Sequence, residues 1–155
     1  MRIKIIPGVE LTHLPPVAIG DMADRARSLG AKLVVVHGET IVEPVAKGTD
    51  HYAIEANIDI LAHPGLISPE DVELAARRGI CLEITARKGH SLTNGYVAKL
   101  AIEAGTKLVL DTDTHAPSDL ITTEFALEVA RGAGLSDDQT RTMFKNSENL
   151  VEKLI

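Results

Sequence analysis

Leu33-Val34-Val35-Val36-His37-Gly38-Glu39 and, one unit further on, Asp59-Ile60-Leu61-Ala62-His63-Pro64-Gly65 decide the fold. Each is an unbroken aliphatic run that stops at a histidine and then turns on glycine or proline. Short apolar runs bounded in this way read as buried strands. Three more share the character, at residues 3–6 (or on to Val9), 80–84 and 107–110; with 32–36 and 58–62 they make five predicted strands. The stretches between them have helical spacing, as in Ala18-Ile19, Met22-Ala23, Ala26 and Leu29 before Gly30, or Val72, Leu74-Ala75-Ala76 before Gly79. Glycine is the usual residue just past a helix end. Ser68-Pro69 suits a helix start, and Thr93 or Asn94 is expected to cap a helix over 96–104. Helical patterns at 119–131, 136–144 and 147–154 complete the chain.

Strand and helix alternate at spacings of about 22 to 29 residues, which requires a parallel sheet with helical crossovers. Either an open doubly wound sheet or part of a barrel satisfies that pattern. The first turn, Pro7-Gly8-Val9-Glu10-Leu11-Thr12-His13, is neither a dinucleotide fingerprint nor a P-loop. The 155 residues are the size of one domain, with 45% hydrophobic and 25% charged residues, an ordinary balance for a water-soluble chain. A formal charge of −6 with scattered cations shows no footprint for a nucleic-acid backbone, so no nucleic-acid partner is expected. No run approaches the ~18 apolar residues of a membrane span, and the start is too short for a signal peptide, so no membrane partner and a cytoplasmic location are expected. The single cysteine, Cys81, lies in an apolar run and reads as a buried structural thiol.

The chemistry lies in the residues at and beyond the strand ends. The runs lead into Glu10, His37-Gly38-Glu39, His63-Pro64-Gly65, Glu83 and Asp111-Thr112-Asp113-Thr114-His115. In parallel α/β folds the C-terminal strand ends form one rim, where ligand and catalytic side chains gather. Side-chain alternation groups Leu33, Val35 and His37 on one face, likewise Asp59, Leu61 and His63, and Val109, Asp111 and Asp113. Imidazoles and carboxylates without thiolates suit Zn²⁺, Mn²⁺ or Fe²⁺ in catalytic coordination.

In order and spacing, Ile6-Pro-Gly-Val-Glu10, Leu33-Val-Val-Val-His37-Gly, Asp59-Ile-Leu-Ala-His63-Pro-Gly and Asp111-Thr-Asp113-Thr-His115 resemble the later metal-binding motifs of the PHP (polymerase and histidinol phosphatase) superfamily. The resemblance runs from about residue 1 to about residue 120. It implies a distorted (βα)7 barrel of which this chain carries about five units, a TIM-like partial barrel. It also implies a centre of one to three divalent transition metals held by Glu10, His37, His63, Asp113 and His115, and hydrolysis of a small phosphorylated substrate in the manner of histidinol phosphatase. The family's opening His-x-His strand end has no counterpart before Glu10, so the chain is expected to be a single PHP-like domain lacking two N-terminal βα units. A non-catalytic metal-binding fragment and an amidohydrolase-like enzyme are the alternatives.

The loop Thr85-Ala86-Arg87-Lys88-Gly89-His90-Ser91-Leu92-Thr93-Asn94 gathers cations, hydroxyls and an amide. Arg87, Lys88, Ser91 and Asn94 are expected to bind the substrate's oxyanion, since a guanidinium matches phosphate oxygens and has no lone pair for a metal. Asp113 and His115 are the expected catalytic pair, His115 protonating the leaving alkoxide. Glu39 and Glu43 are candidates to hydrogen-bond the ligand imidazoles from outside. His13 reads as a loop histidine able to face the site, His51 as a surface residue, and Glu83 as a strand-end carboxylate holding Arg87. Open strand edges and bare apolar faces are expected to make the chain a homo-oligomer.

Overall fold

The computed structural model describes residues 5–155. Strands and helices alternate as β1 (Gly8–Leu11), α1 (Ile19–Ser28), β2 (Leu33–His37), α2 (Thr49–Glu55), β3 (Ile60–Ala62), α3 (Pro69–Arg78), β4 (Cys81–Thr85), α4 (Asn94–Ala104) and β5 (Leu108–Asp111), followed by α5 (Thr123–Gly132) and α6 (Asp137–Leu154). The sheet order is β1-β2-β3-β4-β5, each strand parallel to the next in sequence. That order separates the two predicted alternatives. A doubly wound sheet reverses its strand order at a switch point, whereas crossovers that all advance one step keep the helices on one face, as in a barrel. The predicted partial barrel of parallel βα units is the architecture observed.

Two apolar clusters arise from strand alternation. On the helix side Val34, Val36, Leu61, Leu82 and Ile84 pack with Ile19, Ile54, Val72 and Val97. On the other face Ile60, Cys81 and Val109 meet Leu33, Val35 and, from α6, Leu150. Cys81 is buried there, and burial raises the pKa of its thiol, as expected of a structural cysteine. Among the described residues no helix is long and apolar enough to cross a membrane.

Four expectations are corrected. The predicted first strand at 3–6 falls partly outside the described residues, and the strand that pairs with β2 is Gly8–Leu11, with Gly8 opposite Leu33 and Leu11 opposite Val36. Ile5 and Pro7 precede that register, and Ile5 is exposed. Glu10 therefore sits within a strand rather than beyond its end. Secondly, Leu61 belongs to the helix-side core while Leu33, Val35 and Val109 line the other face, so the strand faces do not align as alternation alone suggested. Thirdly, 136–144 and 147–154 form one helix, α6, because Lys145-Asn146-Ser147 contains no glycine or proline to break it. Its start is the expected one: Ser136 accepts from the Gln139 N–H, and the Gln139 side chain accepts from the Ser136 N–H, a reciprocal cap. Lastly, β5 does not present a bare edge, since α6 packs along it and Asn146 Nδ2 donates to Leu108 O at 2.9 Å.

Backbone proximity explains two glycines. A Cβ on Gly38 would lie 2.6 Å from Ala62 O and 2.7 Å from Pro64 Cα. One on Gly65 would lie 2.0 Å from Glu39 O, at a φ of +62°. The two segments that follow His37 at the end of β2 and His63 just past β3 thus run backbone against backbone, which only glycine permits. Gly65→Ala is expected to destabilise the fold by more than about 1 kcal/mol, lowering the urea midpoint further than Gly79→Ala does. Gly79 has a similar φ of +73° but open space around its Cβ position, so equal shifts would contradict the close contact.

Candidate metal centre

His37 is the last residue of β2 and continues the face of Leu33 and Val35. His63 comes two residues after Leu61, and simple alternation would send it to the helix side. A φ of +30° at His63 turns the chain instead. Among the described residues, the non-glycine residues with positive φ are His13, His63 and Asp113, all in loops that leave strand ends. Such conformations cost energy and persist where the surroundings impose them, commonly at functional sites. His90 is placed by the loop after β4, in a 3-10 turn entered through Gly89 at φ +91°.

The three imidazoles converge. Ring centroids are 4.5 Å apart for His37 and His63, 4.3 Å for His63 and His90, and 5.7 Å for His37 and His90. One nitrogen from each ring lies within 4.8 Å of the others, and all three residues are buried. Each Nδ1 is bonded away from the centre: His37 to Gly38 O at 3.0 Å, His63 to Glu83 Oε2 at 2.8 Å, His90 to Thr40 Oγ1 at 2.9 Å. Occupying Nδ1 in this way orients a histidine to present Nε2 to a metal. The Nε2 of His63 is buried and has no hydrogen-bond partner. A buried nitrogen without a partner is costly unless something is bound to it.

The electrostatics also favour a cation. Glu10, Glu83 and Asp111 come from β1, β4 and β5. Glu10 is exposed as a residue, yet burial of its carboxyl and the neighbouring Asp113 raise its pKa. Asp111 is pushed up to about 7 by burial and by the charges of Glu83 and Glu10. Burial opposes a charge on His63, but its bond to Glu83 and the charges of Glu83, Glu10 and Asp113 prevail and raise its pKa. Burial and the neighbouring His63 lower those of His37 and His90, which keeps their lone pairs free near neutral pH. A proton on His63 stands where a metal ion would relieve the same excess of negative charge.

Of the predicted ligands, His37 and His63 enter this grouping and Glu10 contributes to its field. Asp113 and His115 are not in the group of three, although the charge of Asp113 acts on His63 and His90. The Arg87 guanidinium binds the Asp113 carboxylate through Nε at 2.9 Å, the Asp113 carbonyl through Nη1 at 2.8 Å, and His115 Nδ1 at 2.8 Å. His115 is exposed. Lys88 is exposed and Ser91 half-buried, whereas Asn94 is buried and its amide serves the backbone, accepting from Thr85 N–H and donating to Thr85 O. That stitch starts α4 at Asn94 rather than at the expected residue 96, with no side-chain cap from Thr93. Glu83 holds His63, not Arg87. Glu39 accepts from Gly48 N–H and Asp50 N–H and touches no imidazole, whereas Glu43 faces His13, His37 and His90. His51 is exposed and pairs with Asp71 on α3. His90 lies in the loop that the sequence assigns to oxyanion binding; the signal that could have found it is its position after a strand that ends in polar residues, as His37 and His63 stand at the ends of theirs.

A barrel-type parallel fold with three convergent buried imidazoles is compatible with a metal-dependent hydrolase. No family model matches the chain. It belongs to the family of Uncharacterized protein MJ1295 of Methanocaldococcus jannaschii, with 51% identity over 154 residues, 98% of this chain and 71% of that protein. A probable phosphatase of Thermoanaerobacter sp. (strain X514) is 36% identical over 92 residues, and one of Shewanella loihica 32% over 107 residues. The chain spans 38% and 43% of those two proteins, and the matches cover 52% and 59% of the chain. In fold it is similar to a chain of the cryo-EM structure of archaeal Ribonuclease P with mature tRNA, at a TM-score of 0.80 and 16% identity, covering 99% of this chain and 70% of that one. It is also similar to a crystal structure of an amidohydrolase, at a TM-score of 0.69 and 12% identity, covering 94% and 42%.

His37→Ala, His63→Ala and His90→Ala are each expected to lose most of the bound transition metal by elemental analysis after chelator-free purification. His51→Ala and His115→Ala should retain it. Full retention in His90→Ala, or loss in His115→Ala, would contradict the grouping.

Proposed function

We propose that this chain is a PHP-type, metal-dependent phosphoesterase acting on small phosphomonoesters. The observation that carries the reading is the set of three imidazoles with outward-bonded Nδ1 atoms, one of which buries a partnerless Nε2. The probable phosphatases among its relatives support the reaction class. His37, His63 and His90 would hold a divalent cation such as Zn²⁺, Mn²⁺ or Fe²⁺. When bound, that ion supplies Lewis acidity toward a phosphoryl oxygen and toward water.

The remaining work falls to this chain's side chains. Arg87 spends Nε and Nη1 on Asp113 and His115, which fixes its plane and leaves Nη2 for a phosphoryl oxygen. His115 Nδ1 lies 2.8 Å from both Arg87 Nη1, a donor, and the Asp113 carbonyl oxygen, an acceptor, so these contacts hold the ring beside the clamp in either tautomer. Exposed beside the clamp, the imidazolium form of His115 would give a proton to a leaving alkoxide and return to the neutral ring. Lys88 and Ser118 line a cavity of about 440 Å³ with Arg87, Ile121 and Phe125, where the organic part of a substrate fits.

The tie of Asp113 and His115 to Arg87 also favours a second reading, a metal-binding domain without turnover, since both expected catalytic side chains are engaged with the guanidinium. Hydrolysis of p-nitrophenyl phosphate by the metal-loaded chain decides between them. The phosphoesterase reading expects turnover that needs added Mn²⁺ or Zn²⁺ and falls about 10²-fold or more in His115→Ala, the range of a general acid. Stoichiometric metal with no turnover would favour the second reading.

A further inference from the structure

Residues 39–48 form a strap that lies against His37 and His90, two of the three imidazoles. Its ends are tied by reciprocal hydrogen bonds: Asp50 Oδ1 accepts from Glu39 N–H at 2.8 Å, and Glu39 Oε1 accepts from Gly48 N–H at 2.8 Å and from Asp50 N–H at 3.2 Å. Asp50 is buried, as is Thr40, whose hydroxyl meets His90 Nδ1. Between these anchors Glu43 projects its carboxylate at the imidazoles. Oε2 lies 3.4 Å from His37 Nε2 and 3.8 Å from His13 Nε2, and Oε1 lies 3.3 Å from His90 Nε2.

The distances from Glu43 to His37 and His90 are long for charged hydrogen bonds, which close to about 2.7–2.9 Å. They match something else. Two ligands of a tetrahedral zinc ion, each about 2.0–2.1 Å from the metal, lie about 3.3 Å from one another. Glu43 reaches that separation from His37 through Oε2 and from His90 through Oε1, one oxygen to each ring, and the Nδ1 atoms of both rings are bonded elsewhere, so the nitrogens facing the carboxylate are the ones free to coordinate. We propose that Glu43 is the fourth ligand of the His37, His63 and His90 centre, and that the strap it rides on closes the resting site and must lift for a substrate to reach the metal.

This rests on the metal-centre reading and adds a strap-borne carboxylate outside the strand-end motifs. A site with four protein ligands is closed, whereas a catalytic one keeps a position open. Glu43 is 39% exposed and on a loop, the one ligand of the four able to withdraw without moving a strand end or a buried ring.

Co²⁺ titration of the whole chain monitored by visible absorption tests the idea, because four-coordinate cobalt absorbs far more strongly than six-coordinate cobalt. The wild-type chain is expected to give the intense band. Glu43→Gln is expected to weaken Co²⁺ and Zn²⁺ binding at least tenfold and to collapse the band, with the far-ultraviolet circular dichroism unchanged. His63→Ala is the control that reports on the centre itself. If His63→Ala loses the metal while Glu43→Gln keeps wild-type affinity and spectrum, Glu43 is not a ligand and the strap proposal is overturned with the centre intact. If both variants bind cobalt like the wild type, or the wild type binds none, the centre falls and the strap with it.

Discussion

Glu83 accepts two hydrogen bonds from a single residue through the same oxygen, from His63 N–H at 2.7 Å and from His63 Nδ1 at 2.8 Å. Both side chains are almost wholly buried. A carboxylate taken out of water costs several kcal/mol, so this contact is tolerable only with strong partners held close. Its consequences spread outward. It ties β4 to the loop after β3, holds His63 in its positive-φ turn, and fixes the imidazole so that Nε2 faces His37 and His90. Without it, the ring would have no reason to leave the face that strand alternation assigns it.

The sheet supplies the second constraint. Because every strand pairs with its sequence neighbour, the segments leaving β2, β3 and β4 emerge side by side, and residues distant in sequence arrive within one imidazole's reach. Gly38 and Gly65 let the first two of those segments touch through their backbones, and Thr40 reaches the third through His90. The same approach starts the strap over the site. Packing of the main chain and placement of the metal-binding nitrogens are here one arrangement, so a methyl group at Gly65 and a missing carboxylate at Glu83 would disturb the same few ångströms.

Much of this is legible in the sequence. The aliphatic runs mark β2 to β5 to within a few residues, because buried parallel strands are almost wholly apolar. The first strand is harder to place by sequence, because the run at 3–6 reads as more strand-like than Gly8-Val9-Glu10-Leu11; among the described residues it is Gly8–Leu11 that takes the register with β2. His37 and His63 stand out because aliphatic runs lead through them into turns. His90 does not, because a four-residue irregular stretch separates it from β4, and its burial depends on Thr40 and on His63 and His37, 27 and 53 residues away in sequence. Glu83 is visible as a strand-end carboxylate, but its nearness to Arg87 in sequence misdirects, since spacing along one strand says nothing of which loop closes over it. Arg87 takes Asp113 and His115 instead, a pairing across two strand ends that no local pattern encodes.

The most direct measurement is a crystal structure of the zinc- or cobalt-loaded chain with anomalous data collected at the metal edge. The expected result is an anomalous peak with the Nε2 atoms of His37, His63 and His90 each at about 2.0–2.1 Å. Occupied density bound only by Glu10, Asp113 and His115, with the three imidazoles left uncoordinated, would contradict a centre built on those imidazoles.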